Sequence, residues 1–129
     1  MKPRILFVCI ENSCRSQIAE GFAKNFGKNK VEVFSAGSNP SGKVNPVAIE
    51  VMKEIGIDIS QQYSKSFKEP PYREFDYVIT MGCGDVCPFV PAKQRIEWDI
   101  PDPQGEKIEK FREVRNEIKR LLTEFLKKL

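Results

Sequence analysis

Arg4-Ile-Leu-Phe-Val-Cys9-Ile-Glu-Asn-Ser-Cys-Arg15-Ser-Gln-Ile-Ala-Glu-Gly21 changes its hydrophobic period halfway along, and that change decides the fold. Arg4 to Val8 is an apolar run, as expected of a central parallel strand buried on both faces. After Arg15 the apolar residues Ile18, Ala19, Phe22, Ala23 and Phe26 return at helical spacing, and Gly27 is placed to end the helix. Between strand and helix lies a polar turn, Cys9 to Arg15. Outward from this unit the alternation continues. Val31 to Ala36 reads as a second strand, closed by the loop Gly37 to Gly42. Pro46 suits a first helical turn, and Ala48, Val51, Met52 and Ile55 give an amphipathic helix ended by Gly56. Asp76 to Thr80 is a third strand and Arg95 to Trp98 a short fourth. Phe111, Val114, Ile118, Leu121, Leu122, Phe125 and Leu129 mark a long last helix.

This order predicts an α/β fold: a three-layer, Rossmann-like open sheet of about four parallel strands with helices on both faces. The 129 residues suit one domain, 1–129, with a single core and no repeat or linker. In such sheets the site lies at the carboxyl ends of the strands, so the loops after Val8, Ala36 and Thr80 are expected to converge.

Composition narrows the function classes. Hydrophobic residues make up 40% and charged residues 30%, as in a globular protein. The net charge of +3 comes without a basic stripe and interleaved aromatics, which argues against nucleic acid as a partner. No apolar run approaches the ~18–20 residues of a membrane span. The apolar start is about five residues long and has no small-residue cleavage site, so it reads as a strand rather than a signal peptide. A cytoplasmic location is therefore expected. There, four cysteines point to thiol chemistry or metal binding rather than structural disulfides.

The turn carries the chemistry. Backbone N–H groups of Ile10, Glu11, Asn12, Ser13 and Cys14 can curl into a nest for a tetrahedral anion, and the following helix adds its positive end. Arg15 can close the ring with a bidentate grip that lysine lacks. Cys9 then lies beneath the anion as a thiolate nucleophile, with Ser16 able to donate a hydrogen bond to it. A bare Cys-x5-Arg pattern is common; its place at a strand-to-helix switch gives it weight. The chain has no histidine, so any proton for a leaving group must come from a carboxylic acid. Asp99 and Asp102 are the candidates. Asp102, held between Pro101 and Pro103, is the more rigidly placed.

Cys9-x-x-Asn-x-Cys-Arg-Ser16 followed by Gln-Ile-Ala-Glu-Gly21 resembles the low-molecular-weight phosphotyrosine phosphatase superfamily, and within it the arsenate reductases that couple to thioredoxin. The resemblance continues through Ser35 to Ser38, Gly56 to Ser60, Asp76 to Met81, Asp102-Pro103 and the last helix. It implies reduction of arsenate to arsenite, as in arsenic detoxification, by a relay of thiols. The cysteine matching Cys9 attacks arsenate, that matching Cys83 attacks the Cys9 sulfur, and that matching Cys87 takes Cys83 as its disulfide partner for thioredoxin. The aspartate matching Asp102 is the general acid of the related phosphatases. Cys14 recurs among those phosphatases and does not discriminate. The alternative is a phosphatase acting on phosphotyrosine or small aryl phosphates through a phosphocysteine. Two features point away from it: the cysteine pair in Met81 to Pro88, and Gln104 where the phosphatases place an aromatic-stacking tyrosine.

Three positions depart from the pattern. Glu11 stands where the family has glycine; a carboxylate beside an anion is costly unless it points to solvent, which leaves the affinity of the turn for its anion open. The Cys83–Cys87 spacing is short, which admits a small-thiol reductant in place of thioredoxin. Some members hold potassium with residues matching Asn12, Glu20 and Ser35 plus an aspartate; Lys65 stands at what looks like that last position, with a charge able to replace the cation, which leaves retention of the potassium site open. No metal and no other cofactor is expected. A structural zinc site on the four cysteines would leave Arg15 unexplained and lacks the usual knuckle spacing.

Overall fold

A computed structural model describes residues 2–82 and 89–129. In chain order it contains β1 (Arg4–Cys9), α1 (Arg15–Phe26), β2 (Glu32–Gly37), α2 (Pro46–Lys53), β3 (Phe75–Thr80), β4 (Ala92–Glu97) and α3 (Ile108–Lys127). The four strands form one parallel sheet in the order β2-β1-β3-β4. β1 is interior, paired on both sides, and Ile5, Leu6, Phe7 and Val8 are all at most 1% exposed. That double burial is why this run is apolar without alternation.

The expected parallel α/β sheet is present, but among the described residues the helices cover one face and not both as expected. Ile5, Phe7 and Ile79 face a core built with all three helices: Ile18, Phe22, Met52, Phe111 and Ile118 pack there, fully buried. Leu6, Val8, Ala36 and Val78 form the other face. Among the described residues, non-helical segments carrying Phe67, Tyr72 and Val90 cover it.

The fourth strand begins at Ala92 rather than Arg95, and Trp98 lies just beyond it. It is an edge strand whose Lys93, Gln94 and Arg95 are exposed, so hydrophobicity does not mark it. Charges along an edge discourage pairing with another chain. Ile55, expected on the buried stripe of α2, is 38% exposed. The helix ends at Lys53, and the chain turns away through Gly56 at φ +82° before Ile55 can reach the core. Leu129, at the end of the expected stripe of the last helix, is likewise 46% exposed beyond α3.

At the carboxyl end of the sheet the three loops do converge. The Asn39 N–H donates to Ile10 O (2.8 Å), and Met81 N–H to Val8 O (2.8 Å). The end of β2 comes so close to the Cys9–Arg15 turn that a Cβ on Gly37 would lie 2.6 Å from Ile10 O and 2.9 Å from Asn12 N. Glycine is required there by contact.

Candidate functional site

The turn after β1 is held open from outside. Five successive carbonyls are each committed to a neighbour: Ile10 O to Asn39 N–H, Glu11 O to Ser41 N–H and the Ser64 hydroxyl, Asn12 O to the Gln17 amide, Ser13 O to Asn45 N–H, and Cys14 O to Ile18 N–H. In a trans peptide the N–H points opposite to the carbonyl that precedes it. The N–H groups of residues 11–15 are therefore turned the other way, toward the inside of the turn. That is the arrangement an anion nest needs.

Asn12 sets the curl. Its φ of 52° is left-handed, a conformation asparagine tolerates better than most residues. Its side chain is fully engaged: Oδ1 accepts from Gln17 Nε2 (2.9 Å) and Lys65 N–H (2.9 Å), and Nδ2 donates to Ser16 Oγ (2.7 Å). Ser16 in turn lies 2.8 Å from the Cys9 sulfur. With its oxygen taken by Asn12 as acceptor, the Ser16 hydroxyl is free to donate to Cys9. Cys9 and Cys14 are both buried free cysteines. Burial, above all, pushes the Cys14 thiol up to about 12, with Asp102 and Cys9 adding to the rise and the Ser13 hydroxyl and Arg15 opposing it. Cys14 thus stays protonated at neutral pH.

Arg15 opens α1 and is 6% exposed. Nη1 donates to Ile100 O (3.0 Å), and Nη2 lies 3.7 Å from Asp102 Oδ2. Asp102 is itself exposed; its other oxygen accepts from Gln104 N–H (3.1 Å). Cys9, Ser16, Arg15 and Asp102 are therefore brought together. Asp99 is exposed, one residue before the carbonyl that holds Arg15. Glu11 is half-buried and held by its backbone. Cys83 and Cys87 lie outside the described residues.

Behind the turn, the Lys65 ammonium sits 2.9 Å from Ser35 Oγ, 2.9 Å from Tyr63 O and 3.4 Å from Glu20 Oε1. Ser35 also donates to Glu20, and Lys24 Nζ lies 2.5 Å from the second Glu20 oxygen. Burial holds the Lys65 ammonium below the usual lysine range, against the pull of Glu20. An oxygen set already filled by an ammonium does not fit a bound monovalent cation. Lys65→Met is expected to lower stability by about 1–3 kcal/mol, because the buried Glu20 and Ser35 lose a charged partner. Urea unfolding reads this directly; an unchanged midpoint would remove the role assigned to the ammonium.

Sequence reasoning gave no role to Gln17, Asn45, Ser64 or the Ile100 carbonyl. Gln17 lies within the motif that carries the resemblance, and this was the available signal for it. The rest act through backbone groups or distant segments. A cleft of about 820 Å³ opens at the amino ends of the strands around Arg4, Phe75 and Ala92, away from Cys9 and Arg15.

Residues 4–129 match the family model described as low molecular weight phosphotyrosine protein phosphatase. The chain is 42% identical to a glutaredoxin arsenate reductase of Synechocystis sp. over 98% of both chains. An arsenate reductase solved in its phosphate binding state superposes with a TM-score of 0.87 at 41% identity, covering 99% of this chain and 98% of the other. The thioredoxin-dependent arsenate reductase of Corynebacterium glutamicum superposes with a TM-score of 0.83 at 38% identity, over 98% of this chain and 61% of that one.

Proposed function

The chain belongs to the low molecular weight phosphotyrosine protein phosphatase family, and from that premise we propose that it is an arsenate reductase driven by a thiol relay. The full-length likeness to proteins named arsenate reductases carries this reading. The anchored turn supplies what the first chemical step needs.

Arsenate enters the turn, where the inward N–H groups and Arg15 neutralise its oxygens. The Cys9 thiolate attacks arsenic and forms an S–As bond. One arsenate oxygen leaves as water, its proton supplied by the Asp102 carboxylic acid, as no histidine is available. The Cys83 thiolate then attacks the Cys9 sulfur. An S–S bond forms, the S–As bond breaks, and its electron pair stays on arsenic, which leaves as arsenite. Cys87 next attacks Cys83, forming the Cys83–Cys87 disulfide and returning the Cys9 thiolate. The two electrons gained by arsenic come from the cysteine pair. A dithiol protein of the thioredoxin or glutaredoxin kind, or a small thiol, restores that pair in the cytoplasm.

The test supplies arsenate to the purified protein with thioredoxin and its reductase, with glutathione and glutaredoxin, or with glutathione alone, and measures arsenite. Multiple turnovers with one of these systems are expected, far exceeding hydrolysis of an aryl phosphate. Absence of arsenite in all three, alongside brisk aryl-phosphate hydrolysis, would establish the phosphatase instead.

A further inference from the structure

Gly82 meets the catalytic turn at its arginine. Its φ is +79°, and a Cβ built on it would run into Arg15 Nη1, with Arg15 Cζ and Ile100 O each 3.4 Å away. The same Nη1 donates to Ile100 O (3.0 Å), so the guanidinium lies in a slot whose two sides are the Ile100 carbonyl and the bare Gly82 backbone. This slot is anchored. The neighbouring Met81 N–H bonds to Val8 O, one residue before Cys9, and Trp98 N–H bonds to Thr80 O.

We propose that Gly82 is a positioning residue for Arg15: its missing side chain is the space in which the guanidinium is held over the anion turn. One methyl group at this position evicts the guanidinium and weakens the anion grip. The rest of the fold is left in place, because the atom that must move is the end of a long side chain. This inference rests on the reading of Cys9 to Arg15 as an oxyanion loop.

The experiment measures inorganic phosphate binding by calorimetry for the wild type, Gly82→Ala, Gly82→Asn, Arg15→Lys and the double variant Arg15→Lys/Gly82→Ala. Thermal unfolding is followed on each. Loss of a charge-assisted bidentate grip corresponds to about a tenfold loss of affinity or more. Gly82→Ala is expected to show that loss with its cooperative unfolding kept. Gly82→Asn is expected to match it, since asparagine tolerates the positive φ yet carries the same Cβ. In the Arg15→Lys background, where Nη1 is gone, Gly82→Ala is expected to change affinity by less than about twofold, the signature of coupled residues. Full affinity in Gly82→Asn would trace the effect to backbone strain and overturn the proposal. So would an equal loss in both backgrounds. If Gly82→Ala fails to fold, Gly82→Asn and its Arg15→Lys double variant decide by the same criteria. Failure of the wild type to bind phosphate would instead remove the oxyanion loop itself. Binding that depends on Arg15 but not on Gly82 would remove this proposal alone.

Discussion

Cys9→Ser is expected to abolish arsenate reduction, with turnover falling by about 10⁴-fold or more, as when a catalytic nucleophile is removed. The serine hydroxyl is almost wholly protonated at neutral pH, and the site has no histidine to take its proton. Even a slow ester with arsenate would stop there, because oxygen cannot accept the second thiol as sulfur does. The rest of the site is built from backbone and neighbours: the five anchored carbonyls, the Asn12 bonds and the Arg15 contacts do not pass through the Cys9 sulfur. The variant is therefore expected to keep its fold and to bind phosphate. Arsenite release at wild-type rate would exclude Cys9 as the nucleophile, and loss of phosphate binding together with turnover would show that the sulfur also shapes the loop.

Cys83→Ser separates reduction from hydrolysis. The first step, attack by Cys9 and loss of water, needs only residues from the turn and a proton donor. The second needs a sulfur that can attack another sulfur. In this variant arsenate turnover is expected to fall below detection, while aryl-phosphate hydrolysis stays within about twofold of wild type, since that reaction uses water for its second step. Mass mapping of alkylated peptides after one turnover gives the complementary readout: a Cys83–Cys87 disulfide in the wild type, none in the variant. Undiminished arsenate reduction in Cys83→Ser would sink the relay.

The parts of this protein legible in its sequence are those where one physical demand fixes the residues. β1 is buried on both faces, so Ile5 to Val8 had to be apolar; α1 is buried all round from Arg15 to Ala23, but only one side meets the apolar core, so Ile18, Ala19, Phe22 and Ala23 fall at helical spacing while Ser16, Gln17 and Glu20 are hydrogen-bonded. β4 answers to a weaker demand. An edge strand half open to water accepts Lys93, Gln94 and Arg95, and its first three residues read as loop. The same division runs through the site. Cys9, Arg15 and Ser16 share one short segment whose chemistry is written in its side chains, and the two prolines mark Asp102. The Ile100 carbonyl, the Asn45 and Lys65 N–H groups and the bare face of Gly82 contribute through the main chain, which every residue possesses. Such contributions have no residue type to give them away. Lys65 was visible only by resemblance to relatives with another residue at its place.

The outward commitment of the five turn carbonyls has a consequence for selectivity. A ring of main-chain N–H groups fixed before any anion arrives senses charge and tetrahedral shape, and both are nearly the same in arsenate and phosphate. Discrimination between them therefore falls to the chemistry after capture. A thiol can pull the sulfur away from arsenic because arsenic accepts the electron pair, whereas phosphorus does not. Phosphate is then expected to compete for the turn and to depart unchanged. On this reading the ratio of the two anions, more than the affinity for either, is expected to set the pace of arsenate reduction.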